Sequence, residues 1–205
     1  MSRPLRLQRR PAALALIGLV LSATAIAHPL ADAARRQVGV TVRYDPAYVR
    51  LDYPGGDVPA DRGVCTDVVV RALRTQGIDL QQRIHQDKRA HPHAYPRQWQ
   101  HLAADPHIDH RRVPNQTTWF TRQGWSRPVT EAPGDVRAGD IVAWRLDNGL
   151  LHIGIVSDRK ADDGTPLVLH NIARGTREEN VLRRWRIIGH YRPALAPASA
   201  AQARR

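Results

Sequence analysis

The sequence of 205 residues has a single cysteine, Cys65, so it lacks the partner that an internal disulfide requires. Small secreted folds that depend on several disulfides are excluded by this count. The sequence also has no internal repeat. Whatever core the chain forms must therefore come from ordinary packing within a domain.

A second absence is an apolar run long enough to span a membrane as a retained helix. The uncharged, largely apolar run covers only residues 12–27, and it ends in Ala25-Ile26-Ala27. A basic start precedes it, formed by Arg3, Arg6, Arg9 and Arg10. This order predicts a secretory signal peptide over residues 1–27, cleaved before His28. No cysteine follows the cleavage site, so a lipoprotein anchor is excluded, and we expect a periplasmic protein without a stable membrane anchor.

Acidic residues are in the minority, and the net charge is +12. Removal of the leader leaves 27 basic and 19 acidic residues, spread along the chain without a basic block. In an exported protein this balance does not predict a nucleic-acid partner. An anionic envelope component or a carboxylate-rich substrate fits the charge better.

Periodicity divides the rest of the chain into a helical half and a strand half. Residues 28–193 have the length of one domain, and residues 194–205, rich in Ala, Pro and Arg, are predicted to be disordered. Helices are predicted after Cys65, after Asp79 and from Asn115 to Gln123. Strands are predicted near residues 141–144, 150–156, 167–170 and 187–191, with a hairpin turn at Asp147-Asn148-Gly149. Helices followed by an antiparallel meander predict an α+β fold.

Cys65 is predicted to begin an amphipathic helix that ends near Gly77. Its side chain shares the apolar stripe of Val68 and Ala72. A thiol in the first turn lies at the positive end of the helix dipole, which favours the thiolate and predicts a reactive nucleophile. A lone thiol in an oxidising compartment also carries a risk of oxidation, which favours a working role. The alternative is a small buried thiol that fills a gap in the core.

Two histidines in the strand half are candidate partners of this thiol. His152 alternates with Gly154 and Val156 on one face of its predicted strand, and His170 lies near the end of the next strand. Adjacent antiparallel strands bring such side chains within reach of each other. A histidine beside a thiol acts as a base, and a second polar group fixes its tautomer. Alternatively, both are ordinary histidines of the sheet.

These residues resemble the NlpC-type cysteine peptidases, papain-like enzymes that cut the stem peptides of bacterial peptidoglycan. The resemblance lies in Cys65 at a helix start, Gly-Asp-Ile-Val before a hairpin, His-Ile-Gly-Ile-Val after it, and Leu-Val-Leu-His on the next strand. It implies a papain-like core with Cys65 as nucleophile, His152 as base and His170 as the orienting residue. Tyr53, in Tyr-Pro-Gly-Gly twelve residues before the cysteine, would lie near the oxyanion. The sequence departs from the family pattern at Val64 and at Thr66-Asp67.

The chain also resembles, over residues 38–193, the exported bacterial proteins of domain of unknown function 1287. The segments that carry this resemblance include His-Ile-Asp-His-Arg-Arg-Val-Pro-Asn at residues 107–115 and His-Asn-Ile at residues 170–172. Candidate substrate-binding residues are Arg111, Arg112, Arg174 and Asn171, the arginines because a guanidinium fork suits a carboxylate.

Together these features predict an exported cysteine hydrolase that cleaves an amide bond in a peptidoglycan stem peptide or a similar peptide. We expect a monomer that needs no cofactor, and the bond that is cut stays open. One alternative is a module of the same fold that binds wall peptides without cleaving them. Another is a metal-dependent hydrolase or metal carrier that uses His91, His93, His107 and His110, although their spacing matches no standard zinc pattern.

Overall fold

The computed structural model describes residues 28–97, 103–130 and 134–195. This part of the chain folds as a mixed α+β structure with four α-helices and a mainly antiparallel arrangement of strands. The helices are α1 (Pro29–Arg35), α2 (Cys65–Arg74), α3 (Leu80–Ala90) and α4 (Val113–Arg122), with short 3-10 turns at Pro92–Ala94 and Asp109–Arg111. The strands are β1 (Arg43–Tyr44), β2 (Arg62–Gly63), β3 (Ser126–Arg127), β4 (Ile141–Arg145), β5 (Leu151–Lys160), β6 (Pro166–Asn171), β7 (Thr176–Glu179) and β8 (Arg186–Tyr191).

Six strands form one antiparallel sheet in the order β3-β8-β4-β5-β6-β7. The hairpin of β4 and β5 lies at its centre, where Trp144 pairs with His152 and Ala143 with Ile153. Strand β8 returns from the end of the domain to pair with β4 on the other side. The two short strands β1 and β2 pair in parallel and lead into α2, with Tyr44 opposite Gly63.

The two faces of the sheet bury different residues. The helix-side cluster contains Cys65, Val68, Ile153, Ile155 and Leu169, and it joins α2 to the sheet. The outer cluster contains Val142, Trp144, Val156, Val168 and Leu182 on the opposite face. Because side chains alternate along a strand, Ile153 faces α2 while His152 faces the outer cluster. This alternation decides how the candidate site is built.

Several predicted elements are confirmed. Helix α2 begins at Cys65, and Gly77 follows its end with a φ of 78°. Asp79 caps α3 by accepting a hydrogen bond from the Gln81 backbone N–H at 3.1 Å. The predicted strands correspond to β4, β5, β6 and β8. The sequence therefore indicated the helical half, the central hairpin and the α+β class correctly.

Other features differ from the prediction. Helix α4 begins at Val113, two residues before Asn115, and its Pro114 stands in the first turn, where proline loses no hydrogen bond. Asn115 does not cap this helix, because its amide donates to Asp109 instead. Helix α1 and strand β7 were not predicted.

The predicted leader, residues 1–27, lies outside the described residues, and so does residue 196 onward of the predicted tail. Ala194 and Leu195 are described, and Leu195 packs against the helix-side cluster. Across the described ranges, no helix combines the length and the apolar character that a membrane crossing needs.

Candidate functional site

The sulfur of Cys65 meets the sheet at the peptide group between His152 and Ile153. Cys65 is the first residue of α2 and is 4% exposed. The backbone N–H groups of Ile153, of Thr66 and of Cys65 itself lie near its sulfur and act to lower the pKa of the thiol. Three backbone donors therefore converge on one buried atom, an arrangement that can hold negative charge as it develops there.

In the resting structure this thiol is nevertheless neutral. Burial raises the pKa of Cys65 to about 12, and the charge of Asp67 raises it further, against the lowering effect of the backbone N–H groups. The expectation of a thiolate stabilised by the helix dipole is therefore wrong for the resting protein. Desolvation of a fully enclosed sulfur outweighs the partial charge at a helix end.

The two candidate histidines lie together, as the strand register predicted. The Nε2 atom of His152 is 2.8 Å from the Nδ1 atom of His170, and both side chains are buried. The ring of His152 also packs between Trp144 and Trp185, at centroid distances of 5.8 and 5.9 Å. Gly154 makes this approach possible, because a Cβ there would lie 2.7 Å from a methyl group of Val168 and 3.0 Å from the Cβ of His170.

Glu179 extends this pair, although sequence reasoning did not single it out. Its Oε2 atom is 3.1 Å from the Nε2 atom of His170. The contact has the distance of an ion pair but not the angles of a hydrogen bond, so we treat it as electrostatic. Glu179 lies on β7, opposite Val168 on β6, and β7 was not recognised as a strand. A lone carboxylate in a short polar segment gave no signal in the sequence.

The carboxylate selects the tautomers of both histidines. A proton on Nε2 of His170 is favoured by the facing oxygen of Glu179, which leaves Nδ1 of the neutral ring as an acceptor. The Nε2–H group of His152 then donates to that Nδ1, and the Nδ1 atom of His152 keeps a free lone pair. Burial lowers the pKa of His152 to about 3. The ring is therefore a neutral, unprotonated base.

The thiol is adjacent to this histidine pair without being hydrogen-bonded to it. The sulfur contacts the N–H that follows His152, while the imidazole of His152 points to the outer face of the sheet. In the described part of the chain, His152 forms its one hydrogen bond with His170, and Cys65 forms none with either ring. The structure brings His152, His170 and Glu179 into contact and places Cys65 beside the backbone of His152.

Asp67 and Arg111 form a buried ion pair beneath the thiol. The Nε atom of Arg111 is 3.0 Å from Oδ1 of Asp67, and both side chains are almost fully enclosed. Asp67 also accepts a hydrogen bond from the N–H of Val64 at 2.7 Å, and Arg111 donates to the carbonyls of Asp45 and Ala47. Arg111 lines the cleft at the thiol, and its guanidinium is occupied in fixing the loop after β1 against α2.

The other predicted substrate-binding residues have different places. Asn171 is fully buried, and its amide holds Gly63 and Gly175 through hydrogen bonds of 2.9 and 3.1 Å, so it ties β6 to the strand before Cys65. Arg174 is exposed and lies 3.3 Å from Oε1 of Glu179. Neither lines the cleft at the thiol, whereas Arg112 does.

Tyr44, and not Tyr53, is the tyrosine beside the thiol. The ring of Tyr53 packs against His85 of α3, at a centroid distance of 5.0 Å, because the loop after β1 carries it away from α2. Tyr44 lines the cleft with Cys65, since β1 pairs with β2 and places Tyr44 opposite Gly63. Burial raises the pKa of Tyr44 to about 12, and the negative charge of Asp67 adds to the shift. Tyr44 therefore remains a protonated donor.

A cleft of about 400 Å³ opens over Cys65. Its walls are mostly apolar and include Tyr44, Ile108, Val113, Leu150 and Leu151, and none of its described lining residues is acidic. Arg145, at the end of β4, also lines it. Apart from a hydrogen bond to the Gly149 carbonyl at 3.3 Å, its guanidinium has no partner among the described residues. The cleft therefore combines apolar walls with an available cation.

The histidines of the proposed metal alternative are not gathered into a site. His91 contacts Asp87, His93 contacts Arg97, and the Nδ1 atom of His107 accepts a hydrogen bond from the Leu51 N–H. His110 is buried elsewhere, and its Nδ1 atom has no hydrogen-bond partner. Within residues 28–97, 103–130 and 134–195, no three His, Cys, Asp or Glu side chains are placed to hold one metal ion.

Comparison with known proteins agrees with one of the two resemblances in the sequence. Residues 31–193 match the family described as Domain of unknown function (DUF1287). The uncharacterized protein YijF of Escherichia coli (strain K12) is 60% identical over 163 residues, which cover 80% of this chain and 80% of that protein. The resemblance to domain of unknown function 1287 is thereby confirmed, with nearly the same boundaries. The chain belongs to the DUF1287 family.

Proposed function

We propose that this protein is an exported cysteine hydrolase that cleaves an amide bond in a peptidoglycan stem peptide or a similar peptide. The observation that carries the proposal is the meeting of Cys65 with the peptide group of His152, at a cleft large enough for a peptide side chain. On the other side of that peptide group, His152 is oriented by His170 and Glu179. A nucleophile, a base and a group that orients the base are the parts that such chemistry needs.

A papain-like core of the NlpC type is part of the same proposal. Its support is the placement of the thiol at the first residue of α2 and of two histidines on the adjacent strands β5 and β6. The order of these elements along the chain is the order that the sequence resemblance implied. The tyrosine of the oxyanion site would be Tyr44 in place of Tyr53.

The reaction would run through an acyl-enzyme. The Nδ1 atom of His152 takes the thiol proton as the sulfur attacks the amide carbon, and the carbonyl oxygen becomes an oxyanion. The C–N bond then breaks, and the amine leaves with the proton from His152. Water, deprotonated by the same nitrogen, attacks the thioester carbon, and the C–S bond breaks to release the acid and regenerate the thiol. Because the Cys65 thiol and the His152 imidazole are both neutral at the start, the proton moves to the imidazole as the sulfur attacks and not before.

One contact must form during this cycle. In the resting structure the ring of His152 faces the outer cluster and packs between Trp144 and Trp185, so the approach of its Nδ1 atom to the sulfur requires a local rearrangement of β5. Backbone donors are already in place, since the N–H groups of Cys65, Thr66 and Ile153 face the sulfur. These groups would support negative charge on the sulfur, and the phenol of Tyr44, which lines the cleft, would donate to the oxyanion.

The cleft favours a substrate that combines an aliphatic group with a carboxylate. Its walls are apolar, its described lining contains no acidic residue, and Arg145 offers a guanidinium without a partner carboxylate among the described residues. The excess of basic residues along the whole chain points the same way. A peptidoglycan stem peptide has both kinds of group.

A second candidate function is peptide binding without cleavage. The observation that favours it is the resting geometry, in which the thiol is enclosed and makes no hydrogen bond with His152. A pocket with apolar walls and the guanidinium of Arg145 would still recognise a peptide carboxylate. The two functions differ in whether a covalent bond in the ligand is broken.

Digestion of purified sacculi separates these functions. We expect the mature protein to release muropeptides in which one amide is hydrolysed, a gain of about 18 Da in mass spectrometry for the water added. The Cys65→Ala variant should release no muropeptides. It should still bind sacculi, because the substitution removes only the sulfur atom and leaves the rest of the cleft unchanged. Asp162→Ala, at an exposed position in the loop between β5 and β6, serves as the control and should keep full activity.

Free and amidated stem peptides test the proposed role of Arg145. The Arg145→Gln variant should lose most of the preference for the free carboxylate.

Binding of sacculi with no released product from the unmodified protein would favour the binding module. Unchanged hydrolysis by Cys65→Ala would overturn the cysteine mechanism.

A further inference from the structure

His28, the residue after the predicted cleavage site, lies in a fitted position on the domain. Its ring packs over Gly139, where a Cβ atom would lie 1.9 Å from the Cε1 atom of His28, and Gly139 has a φ of 79°. The Nδ1 atom of the same ring accepts a hydrogen bond from the Leu30 N–H at 3.3 Å, and the His28 carbonyl accepts from the Asp32 N–H at 2.9 Å. Ring and backbone together fix where the nitrogen of residue 28 lies.

That nitrogen faces a carboxylate. The backbone nitrogen of His28 is 3.1 Å from Oδ2 of Asp158, whose side chain is 15% exposed. Arg35 contacts both Asp158 and Glu178, which is 12% exposed. The remaining cation of this cluster is Arg159, a mostly exposed residue that contacts Glu178 and not Asp158. Two enclosed carboxylates thus share one enclosed cation, and Asp158 has room for a second cation at the position of the His28 nitrogen.

We propose that cleavage between Ala27 and His28 completes this cluster, because the new α-ammonium group of His28 pairs with Asp158. A signal peptidase of the export machinery would hydrolyse the peptide bond. Water supplies a hydroxyl to the carbonyl carbon of Ala27 and a hydrogen to the nitrogen of His28, and the amine takes a further proton from solvent at neutral pH. A neutral amide donor thereby becomes a cation with three donors. The inference does not depend on the chemistry of Cys65.

The pair would act on the elements that carry the candidate site. Asp158 lies on β5, the strand of His152, and Glu178 is the neighbour of Glu179 on β7. Helix α1, which His28 caps, packs against α2 and β5. The α-ammonium group therefore joins the start of the mature chain to β5, and through Arg35 to β7, which carries Glu179. The ion pair stabilises the mature form relative to the precursor.

The test compares the mature chain beginning at His28 with a chain that carries an additional Gly-Ser dipeptide before His28. The extension removes the charge at this position and should lower Tm by about 3 °C. In the Asp158→Asn background the two forms should differ by less than about 1 °C, since the partner charge is gone. Chemical acetylation of the mature α-amine is the matched control, because it neutralises the charge with the addition of only two carbons and one oxygen. It should reproduce the loss.

The pH dependence gives an independent readout. A carboxylate partner raises the pKa of an amine in the folded state, so the stabilisation is fully present below the unfolded value of about 8 and is lost as pH rises through the folded value. The extended chain should lack this loss. An equal effect of the extension in both backgrounds would mean steric crowding and would overturn the ion pair. N-terminal sequencing of the exported protein that begins at any residue other than His28 would overturn the cleavage.

Discussion

At the scale of single residues, two opposing effects act on the pKa of Cys65, and burial is the stronger of the two. The start of α2 and three facing N–H groups favour the thiolate, and enclosure favours the thiol. A helix dipole contributes about 0.3–1 kcal/mol at an exposed position, whereas full burial can shift a pKa by several units. Burial therefore determines the resting state. The sequence showed the position of Cys65 in the helix, but it could not show how completely the β5 backbone and the cleft walls would cover the sulfur.

Glu179 provides the sharpest test of the histidine arrangement. The Glu179→Leu variant removes the oxygen facing His170, so His170 can carry its proton on Nδ1, and His152 then loses the free lone pair on its own Nδ1. We expect turnover to fall by about ten- to a hundredfold, the usual effect of losing a group that orients a catalytic residue. Nitrogen-15 NMR of the imidazoles should show the change of tautomer, and turnover assays should show the loss.

Two further variants distinguish this positioning role from a structural one. Glu179→Gln keeps an acceptor oxygen and should recover most of the activity and the original tautomer. Asp162→Leu, which removes an exposed carboxylate from the loop between β5 and β6, should change neither. If Glu179→Leu reduces turnover while the NMR signals of His152 stay as they are, Glu179 acts through stability and not through the tautomer.

At the scale of elements, most local patterns were read correctly, and the pairings of the short strands β1, β2 and β7 were missed. Helix α2 and strands β4, β5 and β6 follow from hydrophobic periodicity and turn residues, which are local properties. The pair His152–His170 followed from strand adjacency alone. Strand β7 is short and polar, and it becomes a strand only because β6 offers an edge to pair with. Its residue Glu179 was missed for that reason.

The same limit explains the misplaced tyrosine. Tyr53 has the sequence spacing of the resembling family, but the site is built by the parallel pairing of β1 with β2, which joins residues 19 apart in the chain. A two-residue strand leaves no periodic signal, so the sequence could not indicate that Tyr44 lies beside Cys65. The buried pair of Asp67 and Arg111, which fixes the intervening loop, is likewise a tertiary contact.

Exchange of the two tyrosines for phenylalanine separates these alternatives. Tyr44→Phe removes a protonated donor that lines the cleft, and we expect kcat to fall by on the order of a hundredfold, as for the loss of one oxyanion donor. Tyr53→Phe keeps the ring that packs on His85 and should leave kcat within about twofold of the parent. Steady-state kinetics on a released stem peptide provide the measurement. The reverse order of effects would return the oxyanion role to Tyr53.

At the scale of the whole molecule, the domain encloses several histidines in neutral form. His110 lies within the 3-10 turn after α3, and burial lowers its pKa to about 4, with the charges of Arg111 and Arg74 acting in the same direction. His152 and His170 are enclosed in the sheet, and burial lowers their pKa values as well. Protonation of each of these rings costs more free energy in the fold than in the unfolded chain, so the histidines link the stability of the domain to pH.

The sign of that link gives a final prediction. Unfolded histidine binds its proton near pH 6.5, whereas His110 in the fold binds it only near pH 4. Below pH 6.5 the unfolded state holds more protons, so the free energy of unfolding should fall by about 1.4 kcal/mol per pH unit for this residue and by roughly 3 kcal/mol in total at pH 4. Urea unfolding at a series of pH values from about 7.5 to about 4 measures how the free energy of unfolding changes with pH. His110→Gln should reduce that slope by one proton, while His93→Gln, at an exposed histidine, should not change it. An unchanged slope in His110→Gln would show that His110 is protonated as readily in the folded protein as in the unfolded chain.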